Sequence, residues 1–192
     1  MSKAVLLQTK KMLQLSTNGY DLLDKKAYIL SKEIADLREK RNRLEQSIQT
    51  AMDEAKQSFK TANINMGLNN IAMVARGVDI DTSLSILKSS IMGVEVSIIK
   101  NKKETYIPVG IHNHESLYKS IENMQDIKDL IILLAMVQES IYKLTIALKK
   151  TETRVNALKN IVIPRQKARI HSITDRLEEQ DRESYGRLMR II

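Results

Sequence analysis

Residues 154–183 read RVNALKNIVIPRQKARIHSITDRLEEQDRE, helical in pattern on both sides of Pro164. An interior proline lacks the N–H of one helical hydrogen bond and costs about 3 kcal/mol. Upstream of it, Ile127, Leu130, Leu134, Val137, Ile141, Leu144, Leu148, Thr151, Val155, Leu158 and Val162 alternate spacings of three and four. That rhythm is a heptad seam. Downstream, it would fall on Arg165 and Arg169, but the apolar residues come one step late, at Ile170, Ile173 and Leu177. The seam therefore slips by one residue at the proline, as at a stutter-like discontinuity. We expect the missing hydrogen bond to be absorbed by a partner helix near residues 25–27.

The partner is found in the same chain. Leu6, Leu13, Tyr20, Ala27, Ile34, Arg41, Ile48, Ala55 and Ala62 form one column spaced by seven. Leu23, Leu30, Leu37, Leu44 and Ala51 form the second, three residues on, with Thr9 and Ser16 weakening its start. These are the a and d positions of a left-handed coiled coil. Arg41 is a polar interruption of the seam. Only Gly19 and Gly67 disturb the run, so one helix from residue 3 to 74 is expected, roughly 105 Å long.

Between the helices, Gly77, Gly93, Pro108 and Gly110 punctuate the chain. Residues 78–80 and 94–98 alternate with period two, a strand signal, Leu84, Ile86 and Ile91 fit a partner strand less cleanly, and residues 100–103 (KNKK) read as a polar turn. The fold class that follows is all-α and elongated. Two long antiparallel helices form a left-handed coiled coil, with a small β-hairpin or ribbon in the middle segment. The segments are 1–75, 76–113 and 114–192. Residue i should face a residue near 190 minus i, which places 130–137 opposite 53–60. The hairpin is too small for a core of its own and should rest on the helices or on a partner.

Composition narrows the function. The chain has 192 residues, 43% of them hydrophobic and 4% aromatic, and a net charge of +8. Basic and acidic residues alternate near the C-terminus, where Arg154, Arg165, Arg169, Arg176 and Arg182 are spread through the helix. We read a solvated helix face there and no nucleic-acid site. The absence of cysteine excludes a disulfide scaffold, thiol catalysis and Cys-ligated zinc. The longest apolar run, 130–137, is far short of a membrane span, so membrane attachment is expected only through partners.

Motifs for chemistry are missing. There is no GxxxxGK[ST] or GxGxxG loop. His112 and His114 have no third ligand nearby, His171 stands alone, and Asp79 and Asp81 read as an acidic turn. Glu178 and Glu179 are adjacent on a helix and point in different directions. Met52, Met66, Met73, Met124 and Met136 read as gap-fillers of helical seams. No catalytic, cofactor-binding or metal-ligating residue is expected.

A family resemblance covers nearly the whole chain. Arg154-Val-Asn156-Ala-Leu158, then Ile163-Pro164-Arg165, then Ile170, Ile173, Arg176, Leu177, Glu179, Asp181, Arg182, Glu183, Arg187 and Leu188 resemble the C-terminal signature of the D subunit of V-type and A-type rotary ATPases. Leu13, Gly19, Tyr20, Leu22, Leu23, Lys25 and Lys26 resemble that family's opening motif. Residues 91–94 (IMGV) and Val96 resemble its middle segment, where Ser97 stands in place of a frequent proline. The resemblance implies a central rotor shaft. Its terminal helices enter a hexamer of A and B subunits, with A carrying the nucleotide chemistry. The F subunit binds its side, and the C subunit, called d in eukaryotes, meets its other end on the membrane ring. It also implies a non-catalytic chain without cofactors, cytoplasmic and peripheral to the membrane, with no direct membrane insertion. A free-standing coiled-coil adaptor shares the heptads but gives no reason for the slip. An F-type γ rotor needs an α/β domain that the middle segment is too short to build.

Overall fold

The computed structural model describes residues 3–76, 84–101 and 115–189. Helix α1 spans Lys3–Met66 and α2 spans Leu68–Arg76. Strands β1 (Leu84–Ile91) and β2 (Val94–Asn101) follow. Helix α3 (Glu115–Ala157) passes through a π-helical turn, Leu158–Val162, into α4 (Ile163–Met189).

Helix α1 forms because its apolar residues recur at heptad spacing. Every a and d position named above, from Leu6 to Ala62, is buried or half-buried. The hydroxyl residues of the seam are satisfied within the helix. Thr9 Oγ1 donates to the Val5 carbonyl at 2.8 Å, and Ser16 Oγ to that of Met12 at 2.8 Å. Helix α3 uses the same device. Buried Ser140 and Thr151 donate to the carbonyls of Met136 and Ala147, each at 2.8 Å. Back-bonding of this kind lets a hydroxyl occupy an apolar seam without an unmet donor.

The expected single helix to residue 74 is broken at Gly67, whose φ is +76°. A residue with a Cβ pays about 1–2 kcal/mol in that left-handed region. Gly67 N–H bonds the Asn63 carbonyl at 2.9 Å and ends α1, and α2 starts on its far side.

Two compact units emerge, Glu33–Thr145 and the pair Met1–Lys32 with Ile146–Ile192. In the first, α1 and α3 lie antiparallel. Asn123 Nδ2 donates to Ser58 Oγ at 3.0 Å and Asn65 Nδ2 to Ser116 Oγ at 3.3 Å, so residue i faces 181 minus i. The expected offset of 190 was therefore too large by nine, and 130–137 face 44–51. The Gly67 break is the reason: it ends α1 at Met66, level with Glu115 at the start of α3. Ala62, Ile71 and Leu117 make a three-helix core there, with Met66, Val74 and Ile121 packed on it. In the second unit, Leu30 and Ile173 are fully buried, and Thr9, Thr151 and Val155 are buried with them.

The hairpin turns at Met92–Gly93, both with positive φ (53° and 79°). That is the signature of a type I′ turn, whose twist matches the strands it joins. Residues 94–98 lie in β2, as expected. Lys100 and Asn101 continue that strand instead of opening a turn. The two-residue loop containing Gly93, and not the charged run, has the backbone freedom a tight turn requires. The partner strand expected at Leu84, Ile86 and Ile91 is β1, and residues 78–80, also expected as strand, lie outside the described residues. The hairpin rests on α3, where Ile99 N–H meets Met136 Sδ at 2.9 Å and Ser97 Oγ bonds Glu139 Oε1 at 2.9 Å.

Candidate functional site

The seam slip has a covalently local solution. Through Leu158–Val162 the helix widens to i→i+5 bonding, and Ile163 N–H bonds the Leu158 carbonyl. A π turn accommodates one residue more than an α turn. Ahead of and within it, Val155, Leu158 and Val162 are buried or half-buried; after it, Gln166, Ile170, Ile173 and Leu177 are, while Arg165 and Arg169 are exposed. The one-residue slip therefore lies where the sequence put it. Its compensation differs from expectation. No hydrogen bond among the described residues joins residues 25–27 to this turn, and the helix rearranges its own ladder just ahead of Pro164.

The signature residues sort into two sets within their unit. Gly19, Tyr20 and Leu23 are half-buried on the seam side of α1. Lys25, Lys26, Arg154, Asn156, Pro164, Arg165, Arg176, Glu179, Arg182, Glu183 and Arg187 are exposed. Among the exposed arginines, Arg182 pairs with Glu178 and Glu179 at 3.7 and 3.6 Å, and Arg187 with Glu183 at 3.5 Å. Arg154, Arg165, Arg169 and Arg176 make no ion pair among the described residues. At 100° per residue, Arg165, Arg169 and Arg176 lie within about 40° of one another. They form a basic stripe on α4 to one side of the seam. Such a stripe offers guanidinium forks to carboxylates or backbone carbonyls of a surrounding protein.

Three features of the Glu33–Thr145 unit were missed by sequence reasoning. One is a clasp that ties the hairpin to α3: Glu139 Oε1 accepts from Lys143 Nζ at 2.6 Å and from Ser97 Oγ at 2.9 Å. Hydrogen bonding by Lys143, then by Ser97, holds the Glu139 carboxyl below its usual pKa. Another is an apolar stripe on α3. Met124, Ile131 and Tyr142 are exposed and lie with Ala135 within about 40° on the helical wheel, away from the seam. A window of 18 residues in Glu115–Arg187 is apolar enough, by length and composition only, to cross a membrane. The last is a polar cleft of about 370 Å³ lined by Glu54, Gln57, Ser58, Thr61, Ser116, Lys119 and Asn123. It holds one carboxylate, one amine and no histidine or cysteine.

No group of three metal-ligating side chains exists among the described residues. His112, His114, Asp79 and Asp81 lie outside them. His171 is exposed and faces Asp175 at 3.2 Å on its own helix. Glu178 and Glu179 are both engaged with Arg182.

Residues 5–192 match a family model that describes the D subunit of ATP synthase. The chain belongs to that family. It is 34% identical over 188 residues to the V-type ATP synthase D subunit of Thermotoga neapolitana, covering 97% of this chain and 93% of the relative. It is 30% identical over 191 residues to the A-type ATP synthase D subunit of Pyrococcus horikoshii, covering 97% and 89%. Family membership accounts for the densest part of the resemblance, the stretch around Pro164. It also assigns the π turn to a protein of the rotary ATPases.

Proposed function

We propose that this chain is the central rotor shaft of a V/A-type ATPase and carries torque between ATP turnover and ion flow without catalysing either. The observation that carries the reading is the make-up of the terminal unit. Met1–Lys32 and Ile146–Ile192 form one compact unit, with buried Leu30 and Ile173 inside and unpaired arginines outside. A shaft needs such a continuous seam for stiffness. It also needs a surface that differs from side to side, because it can bias three equivalent sites only through contacts that differ between them. The slipped register and the one-sided basic stripe supply that difference.

On this reading the signature residues of the terminal unit face a hexamer of A and B subunits. Residues 76–113 form the end engaged with the C subunit, and 1–75 with 114–192 form the shaft proper. The apolar stripe of Met124, Ile131 and Tyr142 on α3 is the side that the F subunit covers. The ion pair of Glu139 and Lys143, and the hairpin seated on it, suit a protein partner there better than lipid. The complex holds the chain on the cytoplasmic side of a membrane.

Reconstitution tests the reading. The tagged chain should copurify with a nucleotide-binding hexamer and a small F-like subunit, and a bead fixed to it should rotate on ATP addition. A chain recovered alone, or a hexamer whose ATP turnover leaves the bead still, rejects the shaft in favour of a free-standing adaptor.

A further inference from the structure

The hairpin has two unlike edges. Its two-residue turn makes Ile91 and Val94 a hydrogen-bonded pair, so the pairs 89/96, 87/98 and 85/100 bond as well. Leu84, Ile86, Lys88 and Ser90 belong to the alternate pairs and turn their backbone N–H and C=O groups away from β2. The same parity turns Ile99 N–H outward on the opposite edge, where Met136 Sδ meets it at 2.9 Å. That edge meets α3 at Met136. The other has no backbone partner among the described residues, which form a two-stranded sheet only.

The open edge is apolar, with Leu84 50% and Ile86 69% exposed. Edge strands are normally blunted by proline, a bulge or several charges, and β1 has Lys88 alone. We propose that the outer edge of β1 receives an extended segment of a neighbouring protein of the complex, added as a third strand. The occupant is a strand because only extended backbone matches donors and acceptors that alternate along an edge. Its side chains are apolar at every second position, to meet Leu84 and Ile86, with a carboxylate opposite Lys88. A second copy of this chain fits poorly, since antiparallel pairing of two β1 strands brings two Lys88 side chains within two residues of each other. The proposal rests on the shaft reading, which supplies the neighbours.

Residue-resolved hydrogen exchange on the free chain and on the reconstituted complex tests it. In the free chain the Leu87 and Ser89 amides are protected by β2, and those of Ile86 and Lys88 should exchange freely; protection there that does not depend on concentration assigns the edge to another segment of the same chain and overturns the proposal. In the complex Ile86 and Lys88 should slow at least tenfold. Ile86→Pro removes an outward N–H and leaves the ladder to β2 intact, which protection of Leu87 and Ser89 verifies. It should abolish the protection of Lys88, whereas Ile86→Thr, which keeps the N–H, should preserve it. Unchanged exchange of Ile86 and Lys88 in a complex that has assembled overturns the proposal. So does protection of Lys88 that survives Ile86→Pro, which means side-chain packing alone. Protection in the isolated chain that rises with its concentration also overturns it, in favour of a second copy. Failure of the unmodified chain to assemble defeats the shaft reading, and this proposal with it, before any exchange is measured.

Discussion

At the scale of single residues, the clasp of Ser97, Glu139 and Lys143 joins parts of the chain more than forty residues apart. Sequence alone placed Ser97 in a strand and Glu139 on a helix, but nothing in their spacing brought them together. The clasp has a pH dependence whose sign follows from the lowered pKa of Glu139. A group with a depressed folded pKa contributes above its usual value and loses the contribution as pH falls through the folded value. The hairpin contact should thus be intact at neutral pH and weaken below the usual carboxylate value of 4.5. Hydrogen exchange of the Ile99 amide from pH 6 to 3.5, corrected for intrinsic rates, measures it. Glu139→Gln should loosen that amide at neutral pH and flatten the profile. A profile as steep in Glu139→Gln as in the unmodified chain would assign the effect to another group.

The buried Leu144 side chain is a second residue-scale case. It is fully buried in the seam of α3, and its heptad position alone predicted that. Leu144→Ala should cost about 2–5 kcal/mol, read as a lower urea midpoint of the free chain. A loss under about 1 kcal/mol would mean that the seam opens locally without consequence.

The π turn is the informative case at the scale of elements. The seam positions required a one-residue slip, and the structure places it in Leu158–Val162. The sequence did not say how the ladder would absorb it, because a bend, a bridging partner and a π turn all satisfy the same apolar spacing. If the turn is a single-residue insertion, removing one residue should restore an unbroken heptad. Deletion of Ile161, 63% exposed, moves Ile163 into the seam place of Val162. Gln166, Ile170, Ile173 and Leu177 then fall in step. Combined with Pro164→Ala, the deletion should leave stability unchanged or raise it by about 1–3 kcal/mol, measured by urea unfolding. A loss of more than about 2 kcal/mol would show that the π turn has packing of its own.

Hairpin and break illustrate the same limit. The strand signal of 94–98 was legible because side chains alternate. The turn at Met92–Gly93 was not, because type I′ geometry favours Asn or Gly at its first central position and finds Met92 there. Gly67 was visible as a disturbance. Only its left-handed φ turned the disturbance into a helix end, and that end fixed the antiparallel register.

For the whole molecule, the proposed shaft must grip its sleeve at many points and release each one. Exposed ion pairs contribute about 0–1 kcal/mol apiece. Single changes of Arg154, Arg165, Arg169 or Arg176 to alanine should therefore slow ATP-driven rotation by less than about fivefold, and the four together by much more. Bead rotation in the reconstituted complex reads this out, and a single change that stops rotation would replace the distributed bearing with one key contact.

Two kinds of information divide over this chain. The sequence by itself determined which residues of the long helices face inward, because apolar side chains at heptad spacing leave water only by sharing one face. It also determined the slip at Pro164, because an extra residue displaces every later seam position, and it carried the family signature. Tertiary structure alone decided the register of α1 against α3, the π turn and the clasp beneath the hairpin. These depend on where chain ends and turns meet in space and on backbone hydrogen bonding, neither of which leaves a periodic trace in the order of residues.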